Sequence, residues 1–501
     1  MSRISDSFYF GRRQFLAGLL VSAASGALAG APERSVRPEH RPVKVRLQGA
    51  GSVDDLITSA KLSGKIGFVV MDAQTGEVLE SRNPLLALPP ASVTKAITTL
   101  YGLEALGSSY RFSTRIVATG PLVDGRIDGD LYLVGGGDPT LDSDALGVLA
   151  ARLKEAGVRE ISGKSFVHSS ALPYQKSIDP GQPDHLGYNP SLSGLNLNYN
   201  RVFFEWKRQS DGFAITMDAR ALKYRPRVAM STMQIVERRS PVFALTSSSR
   251  KDAWTVAKSA LGKKGGRWLP VRRPEFYAAE VFQTIARSHG IELPIFKSAT
   301  AVPKGVVLAE WQSDKLAPVL KGMLKYSTNL IAEAVGVTAS RVRGGNPSGL
   351  SASGRMMSTW LKSTKGAKHA KFVDHSGLGD GSRISASDMA RVLINAGWNG
   401  PLHSLMKEIP FRDTKGKPVK GGAVKVRAKT GTLNFVSALA GYVEVPGKRK
   451  LAFAIFTADM PMRARIPKSE RERPKGAKAW NRRSKILQQQ LIERWASTFA
   501  G

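Results

Sequence analysis

Pro89-Pro90-Ala91-Ser92-Val93-Thr94-Lys95-Ala96-Ile97-Thr98-Thr99-Leu100 is the stretch on which the reading of this chain turns. The prolines break whatever precedes them. Val93, Ile97, Leu100, Tyr101 and Leu103 then fall at helical spacing, so a helix is expected over 93–106 with Ser92 at its N-terminal end. Residues i and i+3 share a helix face, which brings Lys95 within reach of the Ser92 hydroxyl, and a helix N-terminus favours negative charge developing there. A serine hydroxyl becomes a nucleophile when a base takes its proton, and lysine serves as that base only if burial or a second cation lowers its pKa. The S-x-x-K pattern occurs at Ser92, Ser248 and Ser404. Ser248 lies in the polar run Ser247-Ser248-Ser249-Arg250-Lys251, and only Ser92 opens an apolar helix.

Outward from this stretch, two further patterns follow in order. Lys429-Thr430-Gly431-Thr432 is the only K-T-G, at the end of an apparent strand; it offers a second cation and a glycine past which substrate can approach the backbone. Between lies Tyr326-Ser327-Thr328-Asn329, an S-x-N expected at the start of a helix, whereas the other S-x-N, Ser81-Arg82-Asn83, precedes Ser92.

The surrounding texture suggests one domain interrupted by another. A hairpin is expected over 65–80, and three strands over 424–432, 436–445 and 450–458. Helices are expected over 316–324, 329–336 and 385–396, and a last one over 477–499 carries Trp480, Ile486, Leu487, Leu491 and Trp495 toward a core. Residues 112–304 change to short strands and turns. Here Gly135-Gly136-Gly137-Asp138-Pro139 reads as a tight turn, since no G-K-[ST] follows to make a phosphate loop. The stretch 238–251 reads as polar and basic, 460–476 as a charged solvent-exposed loop, and Asp374-His375-Ser376 as a turn, because three consecutive residues do not generally aim at one another.

Length and composition bound the rest. A chain of 501 residues is two to four domains at about 150 residues each, and 42% hydrophobic content supplies real cores. No repeat of solenoid or propeller period is present. The absence of cysteine excludes disulfides, thiolate zinc sites, cysteine nucleophiles and iron–sulfur clusters. With 74 Lys and Arg against 40 Asp and Glu, the net charge of +34 draws the chain toward polyanions. Residues 1–29 read as an export signal: Arg12-Arg13-Gln14-Phe15-Leu16, of twin-arginine type, precedes an apolar run ending at Ala27-Leu28-Ala29. Residues 30–50 read as a linker. A periplasmic protein meets anionic wall polymers and lipid headgroups rather than nucleic acid, for which no recognition signature is present.

S-x-x-K, S-x-N and K-T-G in this order resemble the three signatures of penicillin-binding proteins and serine β-lactamases. Pro90-Ala91-Ser92-Val93-Thr94-Lys95, Gly135-Gly136-Gly137-Asp138-Pro139-Thr140-Leu141, Asp374-His375-Ser376-Gly377-Leu378 and Arg427-Ala428-Lys429-Thr430-Gly431-Thr432-Leu433 narrow the resemblance to the class C low-molecular-mass penicillin-binding proteins, the D-alanyl-D-alanine carboxypeptidase/endopeptidase family. The long interval from Ser92 to Ser327 holds the insertion that sets this family apart from β-lactamases. The implied fold is α/β (α+β): a transpeptidase-like domain, an antiparallel sheet flanked by helices, formed by 51–111 and 305–501 and interrupted by an inserted β-rich region at 112–304.

The resemblance also implies roles. Ser92 would attack the carbonyl of the penultimate D-alanine, Lys95 would act as base, and Ser327 would relay a proton toward the leaving amine. Asn329 would hydrogen-bond the bound peptide; Lys429 and Thr430 would hold its carboxylate, with Lys429 helping to depress the Lys95 pKa. Gly431 belongs to the same strand segment, and the backbone N–H groups of Ser92 and Thr432 would form the oxyanion hole. Peptidoglycan stem peptides and cross-links would be the substrates, β-lactams covalent inhibitors, and no cofactor or metal is implied. Thr328 departs from the aspartate often found between Ser and Asn. An acid of the inserted region binds the diaminopimelate amine in some members, and Asp184 and Tyr188 stand nearby without a motif to fix the match. A β-lactamase or esterase on the same scaffold, and a non-catalytic wall-binding protein using the basic surface, remain alternatives.

Overall fold

The computed structural model describes residues 51–413, 417–419, 424–444 and 449–499. The expected export signal and linker, 1–50, lie outside these. Among the described residues no helix is long and apolar enough to cross a membrane.

The two strand-rich ends of the sequence fold together. Six antiparallel strands lie in the order 407–408, 425–433, 436–444, 451–458, 65–72 and 78–82. Lys65–Asp72, from the start of the body, thus pairs with Leu451–Ala458 from its end, with Phe68 opposite Ile455. The run Leu451-Ala452-Phe453-Ala454-Ile455-Phe456 shows no polar alternation because both sheet faces are covered. On one face Val69, Met71, Ala454 and Phe456 pack with the helices Thr94–Leu106, Leu316–Tyr326 and Ala386–Ala396. On the other, Phe68, Val70, Phe453 and Ile455 meet Leu487, Leu491 and Trp495 of the C-terminal helix Ala477–Thr498. Each large apolar side chain so buried contributes about 1.5–3 kcal/mol. Ile486, expected among them, is instead 49% exposed.

The interrupting region has its own core, built on a five-stranded mixed sheet and three three-stranded sheets with the helices Ser143–Glu155 and Pro274–Ser288. Its last strand, Val306–Gln312, pairs antiparallel with its first, Ser113–Ala118, and Gln312 stands opposite Ser113. Residues 305–312, expected to open the returning catalytic segment, therefore belong to the inserted sheet. The ladder, rather than the change of texture in the sequence, sets the boundary.

Two local expectations are corrected and one element is added. Phe243–Ser247 is a strand inside the supposedly polar stretch 238–251, with Phe243 and Leu245 packed against the inserted core. Leu350–Lys365 is a helix that the sequence reading passed over. The charged segment 460–476 is not merely solvated: Arg471 Nη1 donates to the Gly181 carbonyl at 2.9 Å, while Glu472 meets His185 Nε2 at 2.8 Å and Arg267 Nη2 at 2.9 Å. This segment and a small apolar cluster, in which Leu172, Ile178 and Leu192 pack on Leu330, Ala334 and Val337, fasten the insertion to the catalytic domain.

Candidate active site

Ser92 lies in a single 3-10 turn, Ala91–Val93, immediately before the α-helix Thr94–Leu106 rather than on the helix itself. Ala91 takes a left-handed φ of +45°, a conformation that costs a non-glycine residue on the order of 1–2 kcal/mol. Packing holds it there: Ala91 is 1% exposed and its carbonyl accepts the Thr94 hydroxyl at 2.9 Å. Strain retained beside a candidate nucleophile is the pattern expected of a functional turn.

Lys95 is completely buried. Its Nζ lies 3.0 Å from Ser92 Oγ and donates to Asn329 Oδ1 at 2.7 Å and the Ser376 carbonyl at 2.8 Å. Burial pulls its pKa from 10.5 down to about 7, against Glu333 and Asp374, which pull it up. The sequence reading gave Lys429 a share in this depression; desolvation accomplishes it, and the mutual repulsion is felt at Lys429, whose pKa burial and then Lys95 hold well below the ordinary lysine value. A neutral lysine has two N–H bonds and one lone pair. The Asn329 and Ser376 oxygens accept only, so they take the two hydrogens, and the lone pair is left for the Ser92 hydroxyl.

The segment Asp374-His375-Ser376 is a turn, and its backbone is what fixes that Ser376 carbonyl. The fully buried Glu333 accepts the His375 N–H at 3.0 Å and the Ser376 N–H at 2.9 Å. Asp374 accepts the Gly377 and Gly379 N–H groups at 2.8 and 2.6 Å. Burial pushes both carboxyls up, Asp374 adding to the shift at Glu333. The His375 ring stacks on Tyr101 and its Nε2 lies 2.7 Å from Ser353 Oγ; burial drives its pKa down to about 3, so it stays neutral. Sequence reasoning missed Glu333, although a signal existed: it is the single acid in the apolar run Leu330-Ile331-Ala332-Glu333-Ala334-Val335, one helical turn after Asn329.

The S-x-N stands at the start of a helix, as expected, and Ser327 has a second role. It closes Leu316–Tyr326 in a left-handed conformation, φ +60°, and the next helix begins at Asn329. Lys429, 1% exposed, donates from Nζ to Ser327 Oγ at 3.0 Å and to the Thr430 carbonyl at 2.7 Å. Gly431 is required by the protein itself: a Cβ there would stand 3.0 Å from Ser92 N and 2.6 Å from the Pro90 carbonyl, so only glycine lets the strand Lys425–Leu433 lie against the Ser92 turn. Its outer neighbour, Lys407–Glu408, pairs only with Ala428 and Arg427, leaving the edge from Lys429 to Thr432 without a partner strand among the described residues. Thr430 is half-buried on that edge and Thr432 exposed. Seven of the eight residues singled out are thus tied to one cluster by direct contacts, with Thr432 the next residue along the same strand.

The insertion also reaches this cluster. Asn329 Nδ2 donates to the Tyr188 carbonyl at 2.8 Å. Asp184, considered beside Tyr188, instead faces Lys468 at 3.9 Å on the surface.

Known proteins resemble this chain over most of its length. A family model described as the D-Ala-D-Ala carboxypeptidase 3 (S13) family matches residues 50–476. A D-alanyl-D-alanine carboxypeptidase of Actinomadura sp. (strain R39) is 29% identical over 445 residues, covering 80% of this chain and 79% of the relative. The D-alanyl-D-alanine carboxypeptidase DacB of Haemophilus influenzae is 25% identical over 429 residues, 81% of this chain and 88% of the relative. The crystal structure of penicillin binding protein 4 (dacB) from Haemophilus influenzae superposes with a TM-score of 0.71 at 22% identity, covering 89% of this chain and 98% of that one. A second structure of that protein holds a novel β-lactam.

Proposed function

The chain belongs to the D-Ala-D-Ala carboxypeptidase 3 (S13) family, peptidases that act on peptidoglycan, and from that premise we propose that it is an exported serine D-alanyl-D-alanine carboxypeptidase, also able to cut D-alanyl cross-links and sensitive to penicillins. The observation that carries the serine mechanism is the lysine at the base of the site. Two fixed acceptors turn the lone pair of neutral Lys95 toward Ser92 Oγ.

In this reading Ser92 Oγ attacks the carbonyl carbon of the penultimate D-alanine while its proton passes to Lys95 Nζ. The carbonyl oxygen becomes an oxyanion facing the Ser92 and Thr432 N–H groups, each such donor contributing about 3–4 kcal/mol to the transition state. Collapse breaks the C–N bond. Ser327, whose Oγ already accepts from Lys429, hands its proton to the leaving amine and is reprotonated from Lys95. Water then cleaves the Ser92 ester by the reverse proton path, releasing the shortened peptide. The peptide extends along the open edge beyond Lys429, adding a strand to the sheet, and its terminal carboxylate lies at Lys429 and Thr430.

The signal-like residues 1–29 support export to the periplasm by the twin-arginine route, and the +34 charge supports electrostatic association with anionic wall or membrane surfaces. The decisive experiment is labelling of the purified mature protein with a fluorescent penicillin, followed by mass mapping. A stable adduct on Ser92, absent from Ser92→Ala, is the expected result; a folded protein that neither labels nor turns over β-lactams would return the wall-binding reading to first place.

A further inference from the structure

A cavity of about 340 Å³ lies between the strand Lys425–Leu433, the C-terminal helix and the segment 407–412. Thr430 and Thr432 line it from the strand, Lys485 and Gln489 from the helix, and Lys407 and Arg412 from the segment that precedes the strand. Three cations therefore surround one space, against a single acid of the lining, the exposed Glu408. Among the described residues no carboxylate forms an ion pair with Lys407 or Lys485.

These cations are close enough to act on one another. Lys485 keeps contact with solvent, yet its pKa is lowered, by burial first and then by the charges of Arg412 and Lys407. Lys407 also acts on Lys429, after burial and Lys95. The backbone holds them there. Gln489 accepts the Arg412 N–H at 3.0 Å and donates to the Arg412 carbonyl at 2.7 Å, which ties the segment to the helix. Lys407 is fixed at the other end by its pairing with Ala428. Like charges pinned together in this way repel, and an anion placed among them relieves that repulsion.

The cavity adjoins the leaving-group end of the candidate active site. The bound peptide of the proposed mechanism runs from Thr432, whose N–H faces the reacting carbonyl, to Lys429 and Thr430, which take the carboxylate of the leaving residue. One position further along, the strand edge is already occupied, because Lys407 pairs with Ala428 and Glu408 with Arg427. A leaving group longer than one small residue must turn off the edge at this point. The cation-lined space beside Thr430 is this cavity.

We propose that the cavity binds a second carboxylate, carried by the leaving group, and that Lys407, Arg412 and Lys485 thereby favour diacid leaving residues over their neutral counterparts. The inference rests on the peptidase reading above and on the direction it gives the peptide. A leaving group of this kind is released when a cross-link is cut, whereas D-alanine alone leaves the cavity unused. Lysine ammonium groups on flexible stems suit the task, since each can follow a carboxylate that is not held in one fixed orientation.

The test uses two synthetic peptides with one acyl part, acyl-D-Ala-D-X, in which X is 2-aminopimelic acid or its side-chain amide. This side chain is long enough to cover the two strand residues, about 7 Å, between Thr430 and Ala428. The full mature enzyme is expected to favour the acid by about 10-fold in kcat/KM, read from release of X. The preference should shrink as salt is raised from about 0.05 to about 0.5 M. Lys485→Gln is expected to reduce it to roughly 3-fold and the double variant Lys407→Gln/Lys485→Gln to bring it close to one, while Lys485→Arg keeps it. A diffuse attraction of acids to the whole chain would survive the loss of two among its 74 Lys and Arg. A ratio undiminished in the double variant therefore overturns the proposal, as does equal handling of the two peptides by the wild-type enzyme. If the double variant fails to fold, the fall in Lys485→Gln, or its absence, decides alone. Cleavage of acyl-D-Ala-D-Ala with neither X peptide cut would also refute it. If acyl-D-Ala-D-Ala is not cleaved either, the peptidase reading has failed instead. Calorimetric binding of the X pair then still decides the cavity: the acid bound more tightly supports it, and equal affinities refute it.

Discussion

The proposal that Lys95 is the base makes a quantitative prediction about pH. An ordinary lysine with a pKa of 10.5 would be neutral in about one molecule in 3,000 at pH 7, whereas one near 7 is neutral in about half, so burial raises the supply of base roughly a thousandfold. The sign follows from which form is active. Acylation needs the deprotonated amine, so its rate must rise with pH through the folded-state pKa and level off above it. From pH 6 to pH 8 the neutral fraction climbs from about one-eleventh to ten-elevenths, a rise of about tenfold. The assay is the second-order rate constant for acylation of Ser92 by a fluorescent penicillin, sampled from pH 5.5 to 9.5 with folding checked at each end. A midpoint within about one unit of 7 is expected. A profile flat across pH 6–8, or one still climbing toward pH 10, would refute the claim that Lys95 is the base and that its burial tunes it.

Two further outcomes follow from the turn behind the lysine. Glu333→Gln keeps the shape but replaces one of two accepting oxygens by an NH2 that faces a backbone N–H, so stability should fall by about 1–3 kcal/mol. Because Glu333 raises the Lys95 pKa, the acylation midpoint should also move to lower pH; a thermal midpoint and a pH profile both unchanged would show that Glu333 does not hold the Ser376 carbonyl. Gly377→Ala places a Cβ 1.8 Å from the Ala91 carbonyl at a φ of +73°, and should cost about 1–3 kcal/mol while slowing penicillin acylation, through displacement of the Ser92 turn. Denaturant unfolding and labelling rates measured together check it, and wild-type acylation in a folded Gly377→Ala protein would contradict the packing argument.

Much of this architecture was legible because it depends on local pattern. The hairpin at the start, the three strands at the end and the helix after Ser92 each carry their periodicity within a dozen residues. The three motifs were legible because chemistry restricts residue types at short spacing. What escaped depends on contacts between distant segments. Glu333 acts through backbone N–H groups of residues 375 and 376, and no spacing rule links an acid to a turn 42 residues away. The helix starting at Asn329 was legible, but not that Ser327 also ends the preceding one; a left-handed residue leaves no compositional mark when it is serine rather than glycine. Val306–Gln312 has the composition of any half-exposed strand, and only its pairing with Ser113–Ala118 assigns it to the insertion. The packing demand on Gly431 was illegible for the same reason, since the atoms that crowd it belong to Pro90 and Ser92.

The pairing of Gln312 with Ser113 bears on how the chain finds its fold. Lys95 and Asn329 are separated by 234 positions, and joining them across an unfolded loop of about 200 residues costs close to 5 kcal/mol of closure entropy. Once the insertion has folded, its two ends are adjacent strands, and the same connection behaves as a link a few residues long. The entropic penalty has then already been met by contacts inside the insertion. Nucleation that begins there shortens the effective contact order of the whole molecule, so Lys95 should acquire its second-half partners late, in a chain whose middle is already native.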